Sequence, residues 1–156
     1  MSTETNLNGA DTDTTAFLGM TNRIIGPTGH TDGSLSVVEI TVPPGVGAPP
    51  HTNQREALTW YVIEGELTFF EGQTPTTRTA GELIFSPAGA PHTFLNQGDR
   101  EARALMICTP GGFEGFLADA GHALPAEAPD GPPEQAHVQI MVRLGAEYGL
   151  QFHLAQ

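Results

Sequence analysis

The sequence contains no lysine: its six basic residues are all arginine, set against 18 aspartates and glutamates, for a formal net charge of -12. Without lysine there is no side-chain amine to form a Schiff base or act as an amine nucleophile. Nucleic acid and anionic membrane are poor partners, because binding to phosphate rests on clustered positive charge. Cys108 is the only cysteine, so no disulfide can close within the chain and a thiolate metal cluster has no ligands to draw on. Its apolar neighbours Leu105 to Ile107 predict a buried, inert thiol. Long apolar runs are missing as well. No stretch approaches the roughly 20 residues of a membrane-spanning helix, and Met1 to Thr15 is polar and acidic where a secretory leader would be basic and then apolar. The expectation is a cytoplasmic, soluble protein.

What is present is turn chemistry. With 19 glycines and 13 prolines in 156 residues, the chain is long enough for one core and is broken into short segments. Residues 1–14, rich in Ser, Thr, Asn and Asp, read as a disordered tail, and 15–156 as one domain. Period-two alternation is clearest from Ser34 to Val42, with Ser36, Val38, Ile40 and Val42 on one face and Leu35, Val37, Glu39 and Thr41 on the other. Further strands are expected at Thr21 to Ile25, Leu58 to Ile63, Leu67 to Glu71, Thr77 to Thr79, Glu82 to Phe85, His92 to Asn96 and Ala102 to Thr109. Glu64-Gly65-Glu66 reads as a hairpin turn. Short strands on tight connections predict an all-β, antiparallel jelly-roll barrel over about 20–110. A helical segment follows over about 111–156. Phe113, Phe116 and Leu117 mark a short helix ending near Gly121, and Gln135 to Tyr148 a C-terminal helix with Val138, Met141, Val142 and Leu144 or Ala146 inward. Leu150 to Phe152 returns as an edge strand or docked tail.

Two segments carry the chemistry. Gly81, Pro87, Gly89, His92 and Asn96 fit the pattern G-x5-P-x-G-x2-H-x3-N, which resembles the second motif of the cupin superfamily. Gly45, His51 and Gly65 fit the first motif in register, with Asn53 in place of its second His and Leu58 in place of its Glu. Glu56 stands two residues before that position. The resemblance runs from about Leu35 to Phe152 and is to small bacterial monocupins, both those similar to quercetin dioxygenases and those that are polyketide cyclases. It implies the cupin barrel and one divalent metal, Fe, Mn, Ni, Cu or Zn, held by His51 and His92 with Asn53 and Glu56 as possible helpers. With this incomplete ligand set the metal is weakly held or absent. It also implies a homodimer.

The residues, taken with what the resemblance implies, leave three readings open. In the first, His51 and His92 act as base and acid and Asn53 orients a substrate oxygen, with Glu56 a further catalytic candidate. Trp60, Leu58, Phe94 and Phe85 then shape a pocket for a small apolar or aromatic substrate, and the reaction is a cyclisation, isomerisation or dehydration in bacterial secondary metabolism. In the second, the protein is a metal-dependent, quercetinase-like dioxygenase. In the third, it is a binding cupin without turnover. The blander alternatives are a solvated Glu56, an outward Glu39, Trp60, Phe94 and Phe85 as plain barrel core, and exposed His30, His122, His137 and His153.

Overall fold

The computed structural model describes residues 14–154. The tail expected over 1–14 therefore lies outside the described residues, except Thr14, which opens a strand. The elements in chain order are β1 (Thr14–Phe17), β2 (Met20–Gly26), β3 (Ser36–Val42), β4 (His51–Asn53), β5 (Ala57–Glu64), β6 (Glu66–Glu71), β7 (Thr74–Thr79), β8 (Leu83–Ser86), β9 (Pro91–Leu95), β10 (Ala102–Thr109), α1 (Phe113–Ala123), α2 (Gln135–Glu147) and β11 (Leu150–Phe152). They form two antiparallel sheets, ordered β1-β2-β3-β10-β5-β8 and β11-β4-β9-β6-β7. The interleaving of β3 to β10 between the two sheets is that of a jelly roll, so the all-β barrel with two appended helices is the fold of this chain. No helix among the described residues is long and apolar enough to cross a membrane.

Strand β3 keeps its alternation: Ser36, Val38, Ile40 and Val42 are buried and the residues between them are half-exposed. Glu39 faces out, between Arg23 at 3.4 Å and Arg103 at 4.0 Å. The turn at Gly65 is a different matter. It joins strands that do not pair, because β5 belongs to one sheet and β6 to the other. The chain there crosses between sheets so close to β10 that a Cβ on Gly65 would stand 2.6 Å from the Glu101 carbonyl oxygen. Glycine is required by that approach and by a φ of 73°. The two-residue hairpin comes one strand later, at Gly72 and Gln73 between β6 and β7, where Glu71 pairs with Thr74.

The helices close the barrel. Phe113, Phe116, Leu117 and Ala120 are the buried face of α1. In α2 the inward residues are Met141 and Gly145, whereas Val142, expected in that stripe, is 43% exposed. Gly145 takes the contact because Leu150 and Phe152 lie against the helix there; a Cβ would meet the Leu150 carbonyl oxygen at 2.9 Å. Strand β11 pairs with β4, Phe152 opposite His51 and Leu150 opposite Asn53, so the C-terminal segment braces the first motif directly.

Candidate functional site

Neighbouring strands of one sheet bring the two motif histidines together. His51 on β4 and His92 on β9 are cross-strand partners, with ring centroids 4.5 Å apart at 65°. His51 Nδ1 donates to the Pro49 carbonyl at 2.8 Å. His92 Nδ1 donates to the Ala90 carbonyl at 3.0 Å and has Ser86 Oγ at 3.1 Å. A carbonyl only accepts, so both rings carry their proton on Nδ1 and present Nε2 as a lone pair. His92 Nε2 is buried without a partner. Burial, and then the neighbouring His92, lower the pKa of His51 to about 4; burial also lowers that of His92. Both are neutral imidazoles at pH 7.

His51 faces a void of about 60 Å³ between the sheets and the C-terminal helices. Leu58, Trp60 and Phe94 line it, as do Met106, Phe113 and Phe152. Among the described residues, apart from the indole of Trp60, two polar side chains reach this surface: His51 and Asn22. Asn22 is 2% exposed and its Nδ2 has no partner, leaving a buried donor aimed at nothing in the protein. The motifs gave no hint of Asn22. The signal for it was positional, a polar residue at an inward place between Met20 and Ile24 on β2, all three buried.

The other expected site residues are placed differently. His92 does not line the void; it stands behind His51, beside a crevice of about 10 Å³ shared with Trp60 and Ser86. Phe85 borders that crevice from outside and is 52% exposed. This corrects its expected place among the pocket or core residues: β8 turns Ile84 and Ser86 inward, so its neighbour of opposite parity must face out. Glu56 is 3% exposed rather than solvated. Its surroundings are Asn53, Arg55, Glu114 and Cys108, with no histidine among them, and burial raises its pKa. Asn53 lies beside Glu56, and neither lines the void. Cys108 is buried, its thiol pushed up to about 12 by desolvation, which makes it inert as expected. His153, exposed as expected, bonds through Nε2 to Thr52 Oγ1 at 2.6 Å.

These positions decide how well the residues fit a metal. The unpartnered Nε2 of His92 and the acceptor Nε2 of His51 are suitable donors, but they are two, where catalytic divalent sites use three protein ligands. Leu58 fills the third position, and among the described residues no cluster of three or more His, Cys, Asp or Glu side chains could hold an ion. The donor set does not fit a tightly held metal.

Residues 38–108 match the family model of the cupin domain. The quercetin 2,3-dioxygenase of Bacillus subtilis (strain 168) is 27% identical over 111 residues, which is 68% of this chain and 33% of that protein. The chain thus spans about a third of that relative's length. Among solved structures, an RmlC-like cupin from Shewanella frigidimarina NCIMB 400 superposes with a TM-score of 0.58 at 20% identity, covering 68% of this chain and 90% of that one. The polyketide cyclase RemF from Streptomyces resistomycificus gives 0.56 at 23% identity over 65% and 75%. At such identities the likeness is one of fold. The matched span contains both motif segments from Gly45 to Asn96, and the jelly roll they build is shared with solved cupins: the chain matches the cupin domain over residues 38–108 and has the cupin fold.

Proposed function

We propose that the protein is a small-molecule enzyme that moves a proton within an apolar or aromatic substrate, in a reaction of the cyclisation, isomerisation or dehydration type. The observation that carries this reading is the presence of a neutral His51 and the unpartnered Asn22 amide on one void whose other described side chains, the Trp60 indole N–H aside, are apolar. A dry pocket with a few converging polar groups is the usual form of a ligand site. His51 Nε2 takes a proton from carbon next to a substrate carbonyl, and the electron pair moves onto the carbonyl oxygen. Asn22 Nδ2 donates a hydrogen bond to that oxygen as its charge grows. The imidazolium so formed is a strong acid in this environment, because burial disfavours its charge. It returns the proton at another atom, which is an isomerisation, or to an oxygen after the enolate carbon has attacked a second carbonyl, which is a ring closure. His92, whose ring abuts that of His51, positions it.

Hydrogen-deuterium exchange tests the first step. In deuterium oxide, wild-type protein is expected to speed exchange of the protons next to the carbonyl of acetophenone or propiophenone, followed by NMR. His51→Gln and Asn22→Leu both lose that acceleration. Asn22→Leu keeps or raises stability, since it removes a buried donor without a partner. Exchange that is absent for the wild type, or equal in His51→Gln, refutes the reading.

A further inference from the structure

The void facing His51 is small, but it is not isolated. A groove of about 490 Å³ runs along the outside of the same wall, roughly eight times the volume of the inner void. Leu18, Gly47, Ala48, Pro49, Phe94 and Met141 line both spaces, so the two adjoin along these residues. The groove lies between the loop before β4 and the segment joining α1 to α2. That segment is tied down by Leu18 N–H to the Pro125 carbonyl and Gly19 N–H to the Ala126 carbonyl, both 2.8 Å. Gly19 sits so close to it that a Cβ would stand 2.8 Å from Ala128 Cβ. The far wall is Ala128, Pro129, Pro133, Val138 and Leu154.

The chemistry of this groove is one-sided. Among the described residues, no charged side chain lines it, in a chain whose net charge is -12. The acidic residues of the joining segment, Glu127, Asp130 and Glu134, stand next to lining residues but are exposed, and the groove offers no arginine to pair with an anion. We infer that the groove is a second subsite of the same pocket, taking the uncharged apolar tail of an elongated substrate whose reactive end lies against His51. This rests on the proton-transfer reading for the identity of the reactive end, and on the shared wall for the tail.

The sole tryptophan, Trp60, lines the inner void, so its fluorescence reports occupancy there. The probes are alkyl phenyl ketones, from acetophenone upward by one methylene at a time. Each methylene laid into the groove is expected to tighten binding about fourfold, the equivalent of about 0.8 kcal/mol per buried CH2, until the groove is filled. A ketone of the same length ending in a carboxylate binds more weakly than its uncharged counterpart. Leu154→Arg, at a position 45% exposed, and separately Val138→Arg, at the half-buried fourth residue of α2, collapse the ratio of long-chain to acetophenone affinity. A series flat with length, or a gain that persists in both variants, overturns the subsite while acetophenone binding upholds the inner pocket. If no ketone, acetophenone included, alters Trp60 fluorescence, the inner pocket and the subsite fall together.

Discussion

Burial of His51 makes stability depend on pH in a way that can be calculated. In the unfolded chain its imidazole titrates near its ordinary 6.5, and in the folded protein near about 4. Between these values the unfolded state binds more protons than the folded one, so stability is full above 6.5 and is lost as the pH falls toward the folded value. A tenfold difference in proton affinity is worth about 1.4 kcal/mol. The loss is therefore about 2 kcal/mol between about pH 7.5 and pH 5, and about 3 kcal/mol once the folded imidazole itself becomes protonated. His92, also lowered by burial, adds to the loss with the same sign. Glu56 acts in the opposite direction: its raised pKa gives stability that is present below its unfolded pKa and lost as the pH rises through the folded one. The readout is urea unfolding of wild type and His51→Gln at both pH values, because terms common to the two proteins cancel in the double difference. The variant is expected to lose about 2 kcal/mol less than wild type on acidification. Equal losses would mean that His51 is not held neutral by desolvation, and NMR titration of its ring protons in the wild type would show this independently.

Two further outcomes test the site and the assembly. Leu58 lines the void with His51 and pairs across β5 and β8 with Ser86, whose hydroxyl contacts His92. Leu58→Glu should therefore add a carboxylate to the two imidazoles, destabilise the metal-free protein, and tighten zinc binding by calorimetry on the order of tenfold or more; no gain in affinity would mean that a side chain at 58 does not reach the histidines. We also propose that the protein is a homodimer, with a light-scattering mass of about 33 kDa, twice the 16.5 kDa chain. Tyr61 and Leu83, cross-strand neighbours that are 40% and 53% exposed, form with Phe85 an apolar surface suited to burial between copies. A mass of 16.5 kDa refutes it.

The two histidines of the candidate site could be read from spacing because each sits at a fixed place in a short stretch of chain. The second motif placed His92, and the first placed His51; the sheet then set one opposite the other. Glu56 and Phe85 were harder to place for a common reason. Glu56 lies just before β5 and Phe85 one residue from the end of the four-residue β8, where a shift of one residue reverses the face. Strand β4, only three residues long, has little local signal of its own. It forms because β9 and β11, distant in sequence, supply its partners.

The sequence by itself determined the parity of the long strands, the extent of β10, the positions of both helices and the acidic, lysine-free character that rules out Schiff-base chemistry at a lysine. These depend on side-chain period and composition, which are local properties. Only the tertiary structure decided which strands pair, and hence that Gly65 marks a crossing between sheets and not a hairpin. It also brought Asn22 from β2, Phe113 from α1 and Phe152 from β11 to the wall that His51 faces. No periodicity encodes that meeting. It arises because two curved sheets and a returning C-terminal segment must cover the same apolar interior, and the residues that meet there are far apart in sequence.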